Sequence, residues 1–212
     1  MKTAVIFDLD GTLLNTLEDL TDAVNYTLSH FGCPERTLDE VRSFVGTGAA
    51  NLIRKALPGT DSDPGLEAAL EVYQKYYAAH SQIKTGPYAG ILQALREIKD
   101  RYPVAIVSNK PDGATKALCA QYFPGAYARG ESTDCPRKPA PDMVFQAMKE
   151  IGAEKCIYVG DSETDVETAK NAGAPCLSVL WGFRDKECLI NAGAKYFCEN
   201  PADLLQEIEK IM

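Results

Sequence analysis

No stretch of this 212-residue chain approaches the ~20 consecutive apolar residues that cross a bilayer, so no membrane span is expected. The N-terminus offers Lys2 and then the short apolar run Ala4 to Phe7, closed by Asp8, too little for the core of a signal peptide. Excess positive charge is missing as well: 22 Lys and Arg stand against 30 Asp and Glu, a net charge of −8. Such a chain repels nucleic-acid backbones and anionic membranes, and neither is an expected partner. An anionic substrate would have to be attracted locally, by a metal ion or a placed lysine.

The seven cysteines, at 33, 119, 135, 156, 176, 188 and 198, lack the spacings that carry cysteine chemistry. No two are separated by only two residues, which argues against a zinc knuckle or a thioredoxin-like pair. None has an arginine six positions later, which argues against a cysteine phosphatase. An odd number of scattered thiols suits a reducing cytoplasm, with most of them acting as small buried apolar residues. Internal repeats and low-complexity tracts are absent. With 45% apolar and 25% charged residues, the composition is that of a globular protein. The length fits one large domain, or one domain with an insertion.

What is present is a set of short apolar runs that stop abruptly. Ala4 to Phe7, Val104 to Val107 and Ile157 to Val159 are rich in β-branched residues, and each ends in polar side chains. Continuous rather than alternating runs predict strands covered on both faces, as in a parallel sheet. Pro175 to Leu180 and Ala194 to Phe197 are weaker strand candidates. Ile91, Leu92, Leu95 and Ile98 repeat at helix spacing, and Pro139 to Ile151, with Gly152 beyond it, predicts another helix. Asn200-Pro201 reads as an N-cap and first residue of the last helix. Strands alternating with helices after residue 90 predict an α/β domain, a doubly wound parallel sheet with a Rossmann-like core.

Residues 15–84 break that rhythm. Leu17, Leu20, Val24, Leu28 and Phe31 lie on one helical stripe, Thr37-Leu38-Asp39-Glu40 is a capping box, and Asp63-Pro64 would open a third helix. The expectation is a small all-helical insertion over 15–84, with residues 1–14 and 85–212 forming the α/β core.

The chemistry concentrates at the strand ends. Asp8 and Asp10, at positions i and i+2, leave an extended strand on one face. At the C-terminal edge of a parallel sheet, that face opens on the crevice where α/β proteins bind ligands. Two carboxylates ~4 Å apart at an effective dielectric near 20 repel by about 4 kcal/mol, which a divalent cation or a shared proton would relieve. A calcium loop would need a ligand at its fifth position and glycine at its sixth; here glycine comes fourth. After the third strong run, Gly160-Asp161-Ser162-Glu163-Thr164-Asp165 supplies more acids. Ser162 and Asp165 equally fit a helix start, whereas Asp161 sits at the strand end. Oxygen ligands from two strand ends suit Mg²⁺. Ser108 and Asn109 could hold phosphate oxygens or simply form a turn, and Lys138 is pinned by the prolines that follow it.

Asp8-Leu9-Asp10-Gly11-Thr12, Ser108-Asn109, Lys138-Pro139 and the segment Gly160 to Asp165 stand in the order of four motifs, and the chain resembles the haloacid dehalogenase superfamily over essentially its whole length. The helical insertion is similar to that superfamily's small cap. The resemblance implies a Mg²⁺-dependent phosphatase in which Asp8 is the nucleophile and forms an aspartyl-phosphate. Asp10 would protonate the leaving alcohol and then activate water. Mg²⁺ would sit on Asp8, the backbone carbonyl of Asp10 and Asp161, with Asp165 close by or acting through water. Ser108 and Lys138 would hold the transferring phosphoryl group, with Asn109 counted in the same phosphate site. Members that cleave carbon–halogen bonds lack the second aspartate, here Asp10, so dehalogenation is not expected.

Gly46-Thr47-Gly48 is either a break between helices or a loop over the crevice that reads the substrate. It lacks the preceding strand, and has Asn51 where a dinucleotide fingerprint needs glycine. As a loop it resembles that of the phosphoglycolate phosphatase branch, as does Trp181-Gly182-Phe183-Arg184. Arg54 and Lys55 could meet a substrate carboxylate or be solvated helix charges. The expected partner is a small phosphorylated substrate, foremost 2-phosphoglycolate, and the expected form is a monomer or homodimer. Pyrophosphate hydrolysis, a sugar-phosphate mutase of the same fold, and a phosphoacceptor module that does not turn over are the alternatives.

Overall fold

β-Branched and aromatic side chains dominate the first apolar run, and Thr3–Phe7 forms strand β1 in the computed structural model, which describes residues 2–59 and 65–212. The expected Asp63-Pro64 cap lies outside the described residues. After β1 come a two-residue strand β2 (Leu14–Asn15) and four helices: α1 (Leu17–His30), α2 (Leu38–Phe44), α3 (Ala49–Ala56) and α4 (Gly65–His80). A second two-residue strand, β3 (Gly86–Pro87), precedes α5 (Ile91–Lys99), β4 (Val104–Pro111), α6 (Asp112–Tyr122), β5 (Tyr127–Glu131) and α7 (Asp142–Glu150). The chain ends with β6 (Lys155–Gly160), α8 (Glu163–Asn171), β7 (Cys176–Val179), α9 (Lys186–Asn191), β8 (Tyr196–Cys198) and α10 (Leu204–Ile211). Among the described residues, no helix is long and apolar enough to cross a membrane.

Contacts divide the chain into two units, Met1–Asn15 with Pro87–Met212, and Thr16–Gly86. The first unit holds a six-stranded parallel sheet in the order β5-β4-β1-β6-β7-β8. Val5 of β1 lies between Val104 of β4 and Ile157 of β6, so the three runs singled out in the sequence are the three central strands. Alternate residues then bury two separate cores. Val5, Phe7, Ile106 and Val159 pack with α5, α6 and α10, while Ala4, Ile6, Val107 and Tyr158 pack with α7, α8 and α9. Helices on both faces make the sheet doubly wound, as expected. The strand order reverses beside β1, so the C-terminal ends of β4, β1 and β6 surround the switch point at which α/β sheets bind ligands.

Several elements differ from expectation for local reasons. α7 starts at Asp142 rather than Pro139, because a residue preceding proline is pushed out of the helical region and Ala140 precedes Pro141. Leu92 and Phe31 are exposed, the latter just past the end of α1, so neither belongs to a core stripe. β5 was invisible in the sequence: it is an edge strand, Tyr-Ala-Arg-Gly-Glu, paired with β4 on one side only and with no apolar run.

In the second unit α1 packs on α2 and α4, and α3 on α4, burying Leu20, Val24, Leu28, Val41, Leu52, Ile53, Tyr73 and Tyr77. The Thr37 capping box forms: Glu40 Oε2 accepts from Thr37 N at 2.8 Å, and Thr37 Oγ1 from Glu40 N at 3.3 Å. The Asp19 carboxylate accepts from the backbone N–H groups of Ile83, Lys84 and Thr85, fixing the segment by which the chain leaves α4.

Candidate active site

The end of β1 is held to its neighbour by the Asp8 N–H, which donates to the Val159 carbonyl at 2.9 Å. The chain then turns tightly, with Gly11 N donating to the Leu14 carbonyl at 2.9 Å. Gly11 has φ +86°, and a Cβ there would stand 2.3 Å from Asp161 Oδ2. Gly182 approaches from the other side, where a Cβ would lie 2.3 Å from that of Asp161. Two glycines thus let two backbones close on one carboxylate. Asp161 is buried between them, Oδ1 accepting from Thr12 Oγ1 at 3.0 Å and Oδ2 from Phe183 N at 2.7 Å.

The lysine expected at the site is there. Lys138 Nζ lies 2.7 Å from Asp8 Oδ1 and 2.8 Å from Asp165 Oδ1, and it bonds the Tyr158 hydroxyl at 3.1 Å. Its backbone is clamped by Asn109, whose Oδ1 accepts from Lys138 N at 2.8 Å and whose Nδ2 donates to the Lys138 carbonyl at 3.0 Å. Asn109 therefore meets Lys138 through both ends of its amide. Ser108 is buried at the end of β4 and its Oγ accepts from Lys110 N at 3.2 Å.

Asp165 fills the helix-start position weighed for it and also meets Lys138. Its Oδ2 accepts from Asp161 N, Ser162 N and Ser162 Oγ, forming one half of a capping box at the start of α8. Its Oδ1 accepts from Lys138 and from the Tyr158 hydroxyl at 3.2 Å. With both oxygens engaged in this way, Asp165 acts on the site chiefly through Lys138.

Asp8, Asp161 and Asp165 bring carboxylate oxygens within 4.8 Å of one another, all buried. Three carboxylates against the one Lys138 ammonium leave two negative charges uncompensated in this cluster. Burial, then the charge of Asp165, raises Asp8 well above the usual carboxylate range, against the pull of Lys138. The same causes push Asp161 up to about 7, although the Phe183 N–H and Thr12 favour its ionised form. Burial opposes the Lys138 ammonium, but Asp165 and Asp8 outweigh it and hold its pKa well above the ordinary lysine value. An excess of two negative charges on hard oxygen donors in a buried pocket fits a small divalent cation, with Asp8 and Asp161 the better placed to ligate it.

Asp10 stands apart from this cluster. Its side chain meets Lys110, whose Nζ donates to Oδ1 at 2.9 Å and Oδ2 at 3.1 Å. Sequence reasoning passed over Lys110, Thr12, Tyr158 and the Phe183 N–H. Lys110 and Thr12 lie inside or beside the quoted motifs without a signal of their own, Tyr158 has the pattern of a core residue, and a backbone donor carries no sequence signal. Trp181, from the stretch singled out after the fourth motif, donates its Nε1–H to the Thr12 carbonyl at 3.0 Å, tying that loop to the first motif.

The remaining candidates lie in the helical unit. Gly46 and Gly48 have φ +121° and +88°, Gly48 is the N-cap of α3, and the segment is a true break between α2 and α3. Arg54 and Lys55 are exposed on α3, and Arg54 donates to the Asn51 side-chain oxygen.

Comparison with known proteins places this arrangement. Residues 5–179 match the haloacid dehalogenase-like hydrolases. Phosphoglycolate phosphatase 1 of Pseudomonas aeruginosa is 34% identical, over 95% of this chain and 78% of its own. A phosphoglycolate phosphatase of Aquifex aeolicus is 32% identical over 84% and 85%. A crystal structure from Lactobacillus delbrueckii subsp. bulgaricus, described provisionally as a phosphoglycolate phosphatase, superposes with a TM-score of 0.91. It is 36% identical and covers 98% of this chain and 99% of that one. The sheet order, the acidic strand ends and the match along most of the sequence lead to one assignment: the chain belongs to the haloacid dehalogenase-like hydrolases.

Proposed function

We propose that this phosphatase hydrolyses a small phosphomonoester through an aspartyl-phosphate on Asp8, with 2-phosphoglycolate as the substrate. The observation that carries the mechanism is the buried Lys138 ammonium 2.7 Å from Asp8 Oδ1, beside the Asp161 and Asp165 carboxylates. Lys138 orients the nucleophile and offsets part of the charge of an incoming phosphoryl group. An Asp8 oxygen attacks phosphorus, the bond from phosphorus to the ester oxygen breaks, and Asp10 gives its proton to the departing oxygen. Asp10, now a carboxylate, takes a proton from water as the water oxygen attacks phosphorus. Inorganic phosphate leaves and Asp8 is regenerated.

Asp8, Asp161 and the main-chain carbonyl of Asp10 would hold Mg²⁺, which supplies charge neutralisation of the phosphoryl oxygens when bound. Asp165 contributes by anchoring Lys138. Ser108 is assigned to the phosphate, and Asn109 serves it by fixing the Lys138 backbone. Substrate choice is assigned to Gly46, Thr47, Gly48 and Arg54 of the helical unit. The names of the relatives support 2-phosphoglycolate. Seven free thiols accord with a reducing cytoplasm.

The test is kcat/KM across a panel of small phosphate esters and pyrophosphate, with Asp8→Asn as control. The reading requires 2-phosphoglycolate to lead the panel and the control to be inert. Turnover that survives Asp8→Asn removes the covalent mechanism, and a different leading ester removes the substrate.

A further inference from the structure

Lys110, like Lys138, is a buried ammonium of the α/β unit. It lies at the end of β4, only 6% exposed, and reaches both carboxylate oxygens of Asp10, a hundred residues away in sequence. The division of labour is clear in the distances: Lys138 meets Asp8 and Asp165, and Lys110 meets Asp10.

The position of Lys110 is built from several sides. Its N–H donates to Ser108 Oγ at 3.2 Å, and its carbonyl accepts from Thr115 Oγ1 on α6 at 3.2 Å. On β5, Gly130 packs so closely that a Cβ there would stand 2.6 Å from the Lys110 carbonyl oxygen and 2.5 Å from Asp112 Cα. The Gly130 N–H is in turn bonded to Asp112 Oδ1 at 2.9 Å. A flexible lysine stem has a large rotamer entropy to lose, and a buried ion pair is by itself a poor source of stability, since apolar replacements often do as well. Stability is therefore a weak reason for this arrangement.

The geometry points to Lys110 as the positioning residue for Asp10, holding its carboxyl group in the orientation from which a proton passes to the leaving oxygen. This rests on the acid–base reading of Asp10 given above. As the Asp8–phosphorus bond forms and the phosphorus–ester bond breaks, the proton moves from Asp10 to the ester oxygen, and the carboxylate that remains is the one Lys110 grips by both oxygens. Lys110 acts through Asp10, so its loss should be felt only where proton donation matters.

Leaving groups separate these possibilities. An alkyl phosphate such as 2-phosphoglycolate expels a strongly basic oxygen that needs a proton, whereas p-nitrophenyl phosphate expels a stable phenolate that does not. kcat/KM, which reports the first half-reaction, is measured on both for wild type, Asp10→Asn, Lys110→Met, Lys110→Arg and the double variant. Lys110→Met should lose about 10- to 100-fold on the alkyl ester and less than about 3-fold on the aryl ester, with Lys110→Arg partly restoring the former. In the Asp10→Asn background, adding Lys110→Met should cost less than about 2-fold further. The double variant leaves neither charge unpaired, so the comparison within that background holds even where Lys110→Met alone fails to fold. Equal losses on both esters, or full additivity in the double variant, would overturn the inference while leaving Asp10 as the acid. An Asp10→Asn enzyme that does not discriminate between the esters would remove the acid–base reading, and this inference with it.

Discussion

Asparagine in place of Asp161 should make the metal-free protein more stable at neutral pH, while abolishing its response to Mg²⁺. In the folded chain the Asp161 carboxyl is pushed up to about 7 from an ordinary 3.8 by burial and by Asp165. Between those two values the folded state holds a proton that the unfolded state has released. Stability therefore falls as pH rises through that window, by about 4 kcal/mol in all, and changes no further above it. The substituted amide carries no charge. Its carbonyl can keep the bond from the Phe183 N–H, while the rotatable Thr12 hydroxyl turns to accept from the amide nitrogen. Both contacts of the carboxylate thus survive in exchanged form.

The assay is thermal melting in EDTA and in saturating Mg²⁺ from about pH 5.5 to 8.5, a window that brackets the raised carboxyl. At about pH 8 in EDTA, Asp161→Asn should melt about 8–16 °C above wild type, narrowing as pH falls below ~7 and the wild-type carboxyl takes up its proton. In wild type, Mg²⁺ must displace that proton, so its affinity should weaken about tenfold per pH unit below ~7. Its stabilising effect should therefore grow from the acid end of the window to neutrality and then level off. A variant less stable than wild type in EDTA at the alkaline end would refute the claim that uncompensated negative charge is stored at this site. A Mg²⁺ response retained by the variant would refute the ligand assignment.

Asp8→Asn should leave the melting temperature in EDTA unchanged or higher while phosphate release falls to background, measured by a colorimetric phosphate assay at high enzyme concentration. Gly11→Ala should lower kcat sharply and stability by about 1–3 kcal/mol, since alanine at φ +86° is strained and its Cβ would press on Asp161; a urea titration beside kinetics checks both. Arg54 is exposed, so Arg54→Ala should shift stability by less than about 0.5 kcal/mol. Its KM for 2-phosphoglycolate should rise at least fivefold if it meets the substrate carboxylate, and a KM unchanged beside wild type would leave it a solvated helix charge. Gly46→Val is a poorer probe of that unit, because φ +121° makes valine strained whatever the loop does.

The parts of the fold and site that were legible in the sequence share a physical cause. Central parallel strands must be apolar on both faces, so Ala4 to Phe7, Val104 to Val107 and Ile157 to Val159 announced themselves, whereas the edge strand β5 and the polar helix α6 did not. Asp8, Asp161 and Asp165, the proposed nucleophile and acids, could be found because each sits at a strand end or helix start, where a polar residue interrupts an apolar run, and Lys138 because prolines follow it in the loop before α7. Pairing was not legible. Lys110 meets Asp10, Thr12 meets Asp161, and Asn109 clamps Lys138 across separations of 100, 149 and 29 residues. Those contacts follow from the order β4-β1-β6 rather than from local spacing. The sheet brings Asp8, Asp10, Lys110 and Asp161 to adjacent strand ends, Asp165 follows at the start of α8, Lys138 reaches them from the loop before α7, and the topology then decides which ammonium serves which acid. Asp8 and Asp10 look equivalent in the sequence, two acids one residue apart. In the fold they are given different lysines, Lys138 for Asp8 and Lys110 for Asp10, and that separation suits the two different roles proposed for them.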